Sequence, residues 1–556
     1  MMKGILLFHI LLSLFLSKIS AVNQPTVKLP EYTVLGFQHF SNEGFKANIY
    51  LGLPYAKAPL GCHQIENMAH LGIESSEDCL YLNIMTPSEP GDELYPVLVF
   101  IHGGGFSYGL TKVYGYETYV NNIVSQKVIM VTLQYRLAHF GASFFATDDF
   151  EIAGNFAHFD QIAAMQFLKQ NIKAFGGDPS RITLAGHSAG SLSVHTLSLS
   201  PKTKNLFKQE IHMAASNHAE WSISNKVFNH SKLISDAVGC GQVDTKERKA
   251  CLKTVRYDEF WKVRKDLNLL PFGDDYELLY WTTVYDNDLF DGKKIEELVS
   301  QMPLNNILYG IDAGEGLLFS LLTGHPITSV FALTRGFTPE NRGTASVDTV
   351  KNFLHQLLTY ENFTPDIKDS IINEILEFYQ IGDSYKESNP LHFFEKYTEI
   401  MTDSLMSIPA GKEINEKLQH GFKNQFMYIF NYTRPQDRSF MGSQPGHGYE
   451  HLYFSGINAY AVDFDGILSD EEKLLQKNFC DLFITFVKTG KPSAAGISIP
   501  AITDNDYPYV EFNPTVNIKR GYFEPRIEFW ENLMKKYGYD FILGVNKFKK
   551  SDKVEL

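Results

Sequence analysis

Past the first two dozen residues the chain has no apolar run long enough to cross a bilayer, which excludes an internal membrane span. It also lacks linkers, low-complexity tracts and internal repeats, so a solenoid or a string of small modules is excluded and one domain is expected. Basic clusters are missing too. With 50 Lys and Arg against 64 Asp and Glu the net charge is −14, which leaves a phosphate backbone nothing to grip and excludes nucleic acid as a partner. Cysteine is scarce. Five in 556 residues suggest two bridges and one remainder, with the local pairs Cys62/Cys79 and Cys240/Cys251 closing short loops and Cys480 a buried free thiol in LLQKNFCDLFITFV.

What is present begins at the N-terminus. Lys3, the apolar run 5–16 and small residues ending at Ala21 predict a signal peptide over 1–21, its apolar stretch interrupted by Lys18 before it could span. The mature domain is then 22–556. Three N-x-S/T sequons, at Asn229, Asn362 and Asn431, fit secretion, although the proline after Thr364 weakens the middle one.

Along the body, short β-branched runs alternate with longer helical ones. VLVFIH (97–102), KVIMVTLQY (127–135) and RITLAG (181–186) read as strands, with a helix over 158–175 between the last two. Further strands are expected at 209–215, 305–311 and 424–432, and helices over 366–380, 393–401, 470–488 and 523–537. That alternation predicts an α/β fold with a mostly parallel central sheet and flanking helices. Residues 220–300 and 320–420 break the pattern and read as helical insertions above the sheet.

Two segments match G-x-S-x-G: GFSYG from Gly105 to Gly109 and GHSAG from Gly186 to Gly190. A serine held on a sharp strand-to-helix turn needs a buried strand before it, small residues around it and a helix after it. GHSAG has all three. In GFSYG the serine is followed by Tyr108 and preceded by a glycine loop, so Ser188 is the candidate nucleophile and Ser107 is not. The loop HGGG (102–105) then reads as an oxyanion hole, its bare backbone N–H groups free to face a carbonyl. A histidine and an acid complete such a site. Of ten histidines after Ser188, His447 in SQPGHGYEHLYF lies in a glycine-flanked loop after a strand, while His451 sits in an apolar patch and reads as structural. For the acid, YGIDAGEGLLF offers Asp312 and Glu315, which pattern alone barely separates.

With these motifs in place, the chain resembles the type-B carboxylesterase family, which includes cholinesterases and adhesion proteins of neuroligin type, over essentially its whole mature length. The matching residues are YLGLPYAKAPLG (50–61), SEDCLYLNI (76–84), HGGGF (102–106), YRLAHFG (135–141), GNFAHFDQIAAMQFLKQNIKAFGGDP (154–179), GHSAG (186–190), the loop 309–317, GHGYE (446–450) and FVKTGKP (486–492). The resemblance implies an α/β-hydrolase fold with large helical insertions. It also implies Glu315 as the acid, an oxyanion hole from the N–H groups of Gly104, Gly105 and Ala189, bridges like the family's first two, and an ion pair between Arg136 and Asp160. Two departures stand out. Gly61 runs directly into Cys62, without the segment that supplies an arginine for the glutamate of S-E-D-C-L, here Glu77. The second residue of the elbow is His187, where glutamate is common in the family.

These features predict a serine carboxylic ester hydrolase that acts through an acyl-enzyme intermediate on small to medium esters and needs no metal or organic cofactor. An inactive adhesion or binding protein is the alternative from another class, set against the retained triad. A cholinesterase is disfavoured, because the sixteen residues between Cys62 and Cys79 contain no tryptophan to face a quaternary ammonium. The final KVEL resembles an endoplasmic-reticulum retention signal, which predicts a retention receptor as partner and a luminal or secreted protein.

Overall fold

Seven apolar runs align in parallel at the centre of the molecule, as continuous hydrophobic strands covered on both faces must. The computed structural model describes residues 24–56, 78–137, 146–267, 279–318, 337, 342–358, 363–382, 391–457, 466–543 and 545–546. The predicted signal peptide 1–21, Cys62, Glu77, Asn362 and the terminal KVEL lie outside them.

The strands of the central sheet are β1 (Phe37–Phe40), β2 (Lys46–Pro54), β3 (Tyr81–Pro87), β4 (Tyr95–Ile101), β5 (Ile129–Leu133), β6 (Gly177–His187), β7 (Gln209–Met213), β8 (Asn306–Asp312), β9 (Gln425–Phe430), β10 (Tyr509–Asn513) and β11 (Thr515–Lys519). Their spatial order is β11-β10-β9-β8-β7-β6-β4-β5-β3-β2-β1. From β10 to β5 all neighbours are parallel, and antiparallel strands extend the sheet at both ends. This is the mostly parallel sheet that the pattern predicts, laid out as in the α/β-hydrolase fold that the resemblance implies. Every residue of β4, β5, β7 and β9 is buried, whereas edge strand β11 is exposed at alternate positions.

Among the helices that accompany this sheet are α1 (Phe156–Asn171), α2 (Ala189–Leu199), α3 (His392–Thr402) and α4 (Asp470–Thr489). The helix expected over 158–175 is α-helical only to Asn171. It tightens into a 3-10 turn at Ile172–Phe175 and stops at Gly176, whose φ of 86° an L side chain would resist. On α4 a reciprocal capping box of Ser469 and Glu472 starts the helix, and Gly490 ends it. Cys480 lies buried on its inner face as a free thiol, and Cys240 and Cys251 are bridged. Cys79 is disulfide-bonded. Among the described residues no helix is long and apolar enough to cross a membrane.

The Arg136–Asp160 pair ties the turn after β5 to α1. Arg136 Nε reaches Asp160 Oδ2 at 2.7 Å and Nη2 reaches Oδ1 at 2.6 Å, with the Arg136 backbone N–H adding a third bond at 3.1 Å. Such a fork fixes two elements in register. Arg136→Met is expected to lower stability by about 3 kcal/mol by stranding a buried carboxylate, read as an earlier urea-unfolding midpoint.

Candidate active site

Register brings the carboxyl ends of five strands to one edge. Ile101 of β4 pairs Gly186, His187 of β6 pairs Met213, Met213 of β7 pairs Gly310, and Asp312 of β8 pairs Phe430 of β9. In open parallel sheets this edge is where ligands bind. The loops leaving it carry HGGG, the elbow, the acidic turn and GHGYE.

Ser188 stands between β6 and α2 with φ 58° and ψ −126°, a conformation that costs a non-glycine residue on the order of 1–3 kcal/mol. The surroundings hold it there. Its N–H donates to Met213 O (2.8 Å), and its carbonyl accepts the N–H of Leu192 (3.0 Å). A Cβ on Gly186 would come within 2.2 Å of Gly190 O, and one on Gly190 within 2.1 Å of Ile101 O. No methyl fits either place. Gly190→Ala is therefore expected to destabilise the fold by about 3 kcal/mol through forced backbone displacement, visible as a lower thermal midpoint.

The glycine loop packs on the nucleophile directly: a Cβ on Gly103 would meet Ser188 Cβ at 2.9 Å. Gly104 and Gly105 have φ of 114° and 55°, which turns their peptide planes out of a strand. Among the described residues, the N–H groups of Gly104, Gly105 and Ala189 donate to no protein acceptor. Ser107, the losing serine, is fully buried with its N–H turned back to Gly104 O.

Glu315 lies fully buried in a 3-10 turn just after β8. The close packing of α3 on that turn fixes it, with Gly316 N–H donating to Thr402 Oγ1 at 3.0 Å. One carboxylate oxygen, Oε1, accepts the N–H of Asp312 (2.8 Å), and the other lies 2.5 Å from His447 Nδ1. Pattern alone barely separates Asp312 from Glu315 and the resemblance implies Glu315; it is the Glu315 carboxylate that meets the His447 ring. His447 is almost buried, and its ring lies 4.6 Å from that of His187, the residue next to Ser188. Glu315 and His447 are thus in contact, and the His447 ring lies beside the residue that precedes Ser188.

His187 itself is enclosed. Burial, with the neighbouring His451 and His447, holds its pKa well below the usual imidazole value, so the elbow carries a neutral ring. His451 is also neutral, pushed down to about 3 by burial, and packs edge-on to His187 and Phe100. Asp312, weighed in the sequence as the acid, and His187 form a buried group behind His447 with Glu450, to which sequence reasoning gave no role. The only signal was position: Glu450 closes the GHGYE motif three residues after His447.

The other predicted positions are less central. Asn229 is exposed on the helix Lys226–Ala237, and Asn431 follows β9 with its amide nitrogen donating to Glu511 at 3.1 Å. A cavity of about 900 Å³ opens elsewhere, against His195, His218, Phe228 and Lys417, and none of Ser188, Glu315 or His447 lines it.

A family model described as the carboxylesterase family matches residues 62–530. Gut esterase 1 of Caenorhabditis briggsae is 29% identical over 539 residues, covering 90% of this chain and 92% of its own length. Liver carboxylesterase 1F of Rattus norvegicus is 28% identical over 566 residues, covering 92% and 94%, and esterase FE4 of Myzus persicae is 29% identical over 542 residues, covering 88% and 90%. With the sheet, the elbow and the matched span in agreement, the chain belongs to the carboxylesterase family, whose activity class is carboxylic ester hydrolysis.

Proposed function

We propose that the protein is a serine carboxylic ester hydrolase working through an acyl-enzyme on small to medium esters. The observation that carries the reading is the 2.5 Å contact of Glu315 Oε2 with His447 Nδ1, made beside a serine on a strained elbow. A carboxylate on Nδ1 keeps the proton there, which leaves Nε2 as the base.

The chemistry then runs in two halves. Ser188 Oγ attacks the ester carbonyl carbon while His447 Nε2 takes the hydroxyl proton, and the oxyanion is held by the N–H groups of Gly104, Gly105 and Ala189. Collapse breaks the bond to the alcohol oxygen, which leaves with the proton from His447. Water repeats the sequence on the acyl-serine, releasing the acid and restoring the hydroxyl. Glu315 stays ionised throughout and stabilises the imidazolium.

The test is a fluorophosphonate probe followed by peptide mapping, together with hydrolysis of short aryl esters. Labelling at Ser188 with turnover supports the reading; an unlabelled, folded protein without turnover overturns it in favour of an inactive binding protein. We also propose that the mature chain is luminal or secreted, in keeping with the Cys240–Cys251 bridge. Deleting the last four residues is expected to move it from cells to medium, and unchanged distribution removes KVEL as a retention signal.

A further inference from the structure

The Glu315–His447 pair is backed by ionisable groups that the acyl transfer does not use. Residue 312, the last of β8, touches both halves of the pair. Its backbone N–H donates to Glu315 Oε1 at 2.8 Å, and its carboxyl Oδ2 accepts the N–H groups of Gly448 (2.8 Å) and Tyr449 (3.1 Å). Those are the first two peptide groups after His447. One residue therefore aims the acid and holds the backbone that carries the imidazole.

The remaining oxygen of Asp312 has no protein N–H donor, and neither does either carboxylate oxygen of Glu450. Yet these two fully buried carboxyls face each other closely enough for each to act on the other's proton. Ionised carboxylates only accept, so contact between two of them in a buried site requires a proton in between. Burial first, then the charge of Glu450, pushes Asp312 well above the usual carboxyl range, and burial pushes Glu450 up as well. Among the described residues, the groups facing the pair are Glu315 from the turn after β8, His447 from the loop after β9, His187 from the elbow, Tyr428 from β9 and Tyr114, with the neutral His451 next in sequence to Glu450. No Lys or Arg is among them. His187 Nε2 lies 4.0 Å from Glu450 Oε1, but its ring is neutral.

We propose that Asp312, sharing one proton with Glu450, is the positioning residue of the general base His447. It touches no reacting atom. The shared proton lets its carboxyl accept two backbone N–H groups and bond Glu450 at once, and leaves Glu315 the anion that faces the imidazole. Losing that proton puts a second negative charge on the pair, the third in the cluster with Glu315, and loosens the 447–449 backbone.

This rests on the serine-hydrolase reading, and the experiment separates the two. Wild type, Asp312→Asn, Asp312→Ala and Glu450→Gln are compared on one neutral aryl ester across pH, with rates taken per site titrated by fluorophosphonate. Asparagine keeps an acceptor for the two N–H groups and donates to Glu450 through its amide, so it needs no proton. Its kcat is expected within about threefold of wild type, whereas alanine is expected to lower kcat about a hundredfold with KM little changed, the scale of a misplaced base. In wild type kcat falls at alkaline pH as the pair deprotonates, and Asp312→Asn and Glu450→Gln both extend activity upward. Alanine at wild-type kcat, asparagine as slow as alanine, or an unchanged alkaline limb in both amide variants each overturns the proposal. If the alanine variant does not fold, the two amide profiles decide. A wild-type protein that fails to label at Ser188 overturns the underlying reading, and this one with it.

Discussion

Ser188→Ala is expected to lower kcat for a short aryl ester about a million-fold, with the protein still folded. Alanine keeps the Cβ that packs against Gly103, the N–H bonded to Met213 O and the carbonyl bonded to Leu192 N–H. Only Oγ is lost. The elbow therefore survives, and the change reads the covalent step alone. What persists should come from the oxyanion donors and substrate binding, about a thousandfold over water. His447→Ala is expected to cost a similar amount, and the double variant no more than either, because a nucleophile without its base is already idle. Single-variant kcat values, the double-variant value and unmoved thermal midpoints check this together. Full activity in Ser188→Ala would move the chemistry to another residue; Ser107, with its hydroxyl sealed in the core, is no substitute.

The parts of this site that could be read from sequence are those fixed by local covalent constraints. A serine at φ 58° between Gly186 and Gly190 leaves a mark because a Cβ at either glycine would collide with backbone about 2 Å away. The parallel strands are legible for a related reason, since a strand buried on both faces must be apolar throughout. Strands β1, β2, β3, β10 and β11 went unread. Four of them flank the parallel core and β10 ends it; in TVNIK the polar positions that face solvent blur the signal, in FQHF the two exposed positions are phenylalanines, and long-range pairing supplies the order. The strand expected over 209–215 stops at Met213 because Ala214 turns to φ 59°, its N–H donating to Gly310 O, a bend set by the neighbouring strand. The choice between Asp312 and Glu315 is of the same kind. They lie three residues apart; pattern barely separates them, the resemblance implies Glu315, and the tertiary hydrogen bonds place the Asp312 carboxyl on the backbone after His447 and the Glu315 carboxyl at its ring.

Glu315→Gln is expected to lower kcat about ten-thousandfold with little change in KM. The substitution is nearly isosteric, so the side chain keeps its place in the 3-10 turn against α3 and can still accept the N–H of Asp312. What changes is the atom facing His447 Nδ1. A carboxylate oxygen at 2.5 Å accepts, which puts the ring proton on Nδ1 and the lone pair on Nε2 toward Ser188. An amide nitrogen there donates, so Nδ1 must accept and the ring proton moves to Nε2, the face that should take the proton from serine. The imidazolium formed during attack also loses its anion in a site from which water is largely excluded. Both effects act on the transition state and spare ground-state binding, hence the fall in kcat at constant KM. Asp312→Asn offers the contrast, since an amide at that position accepts the same backbone N–H groups and leaves the tautomer of His447 alone. If Glu315→Gln kept wild-type kcat, the acid of this site would have to lie elsewhere, and Asp312, three residues away, would be the first group to test.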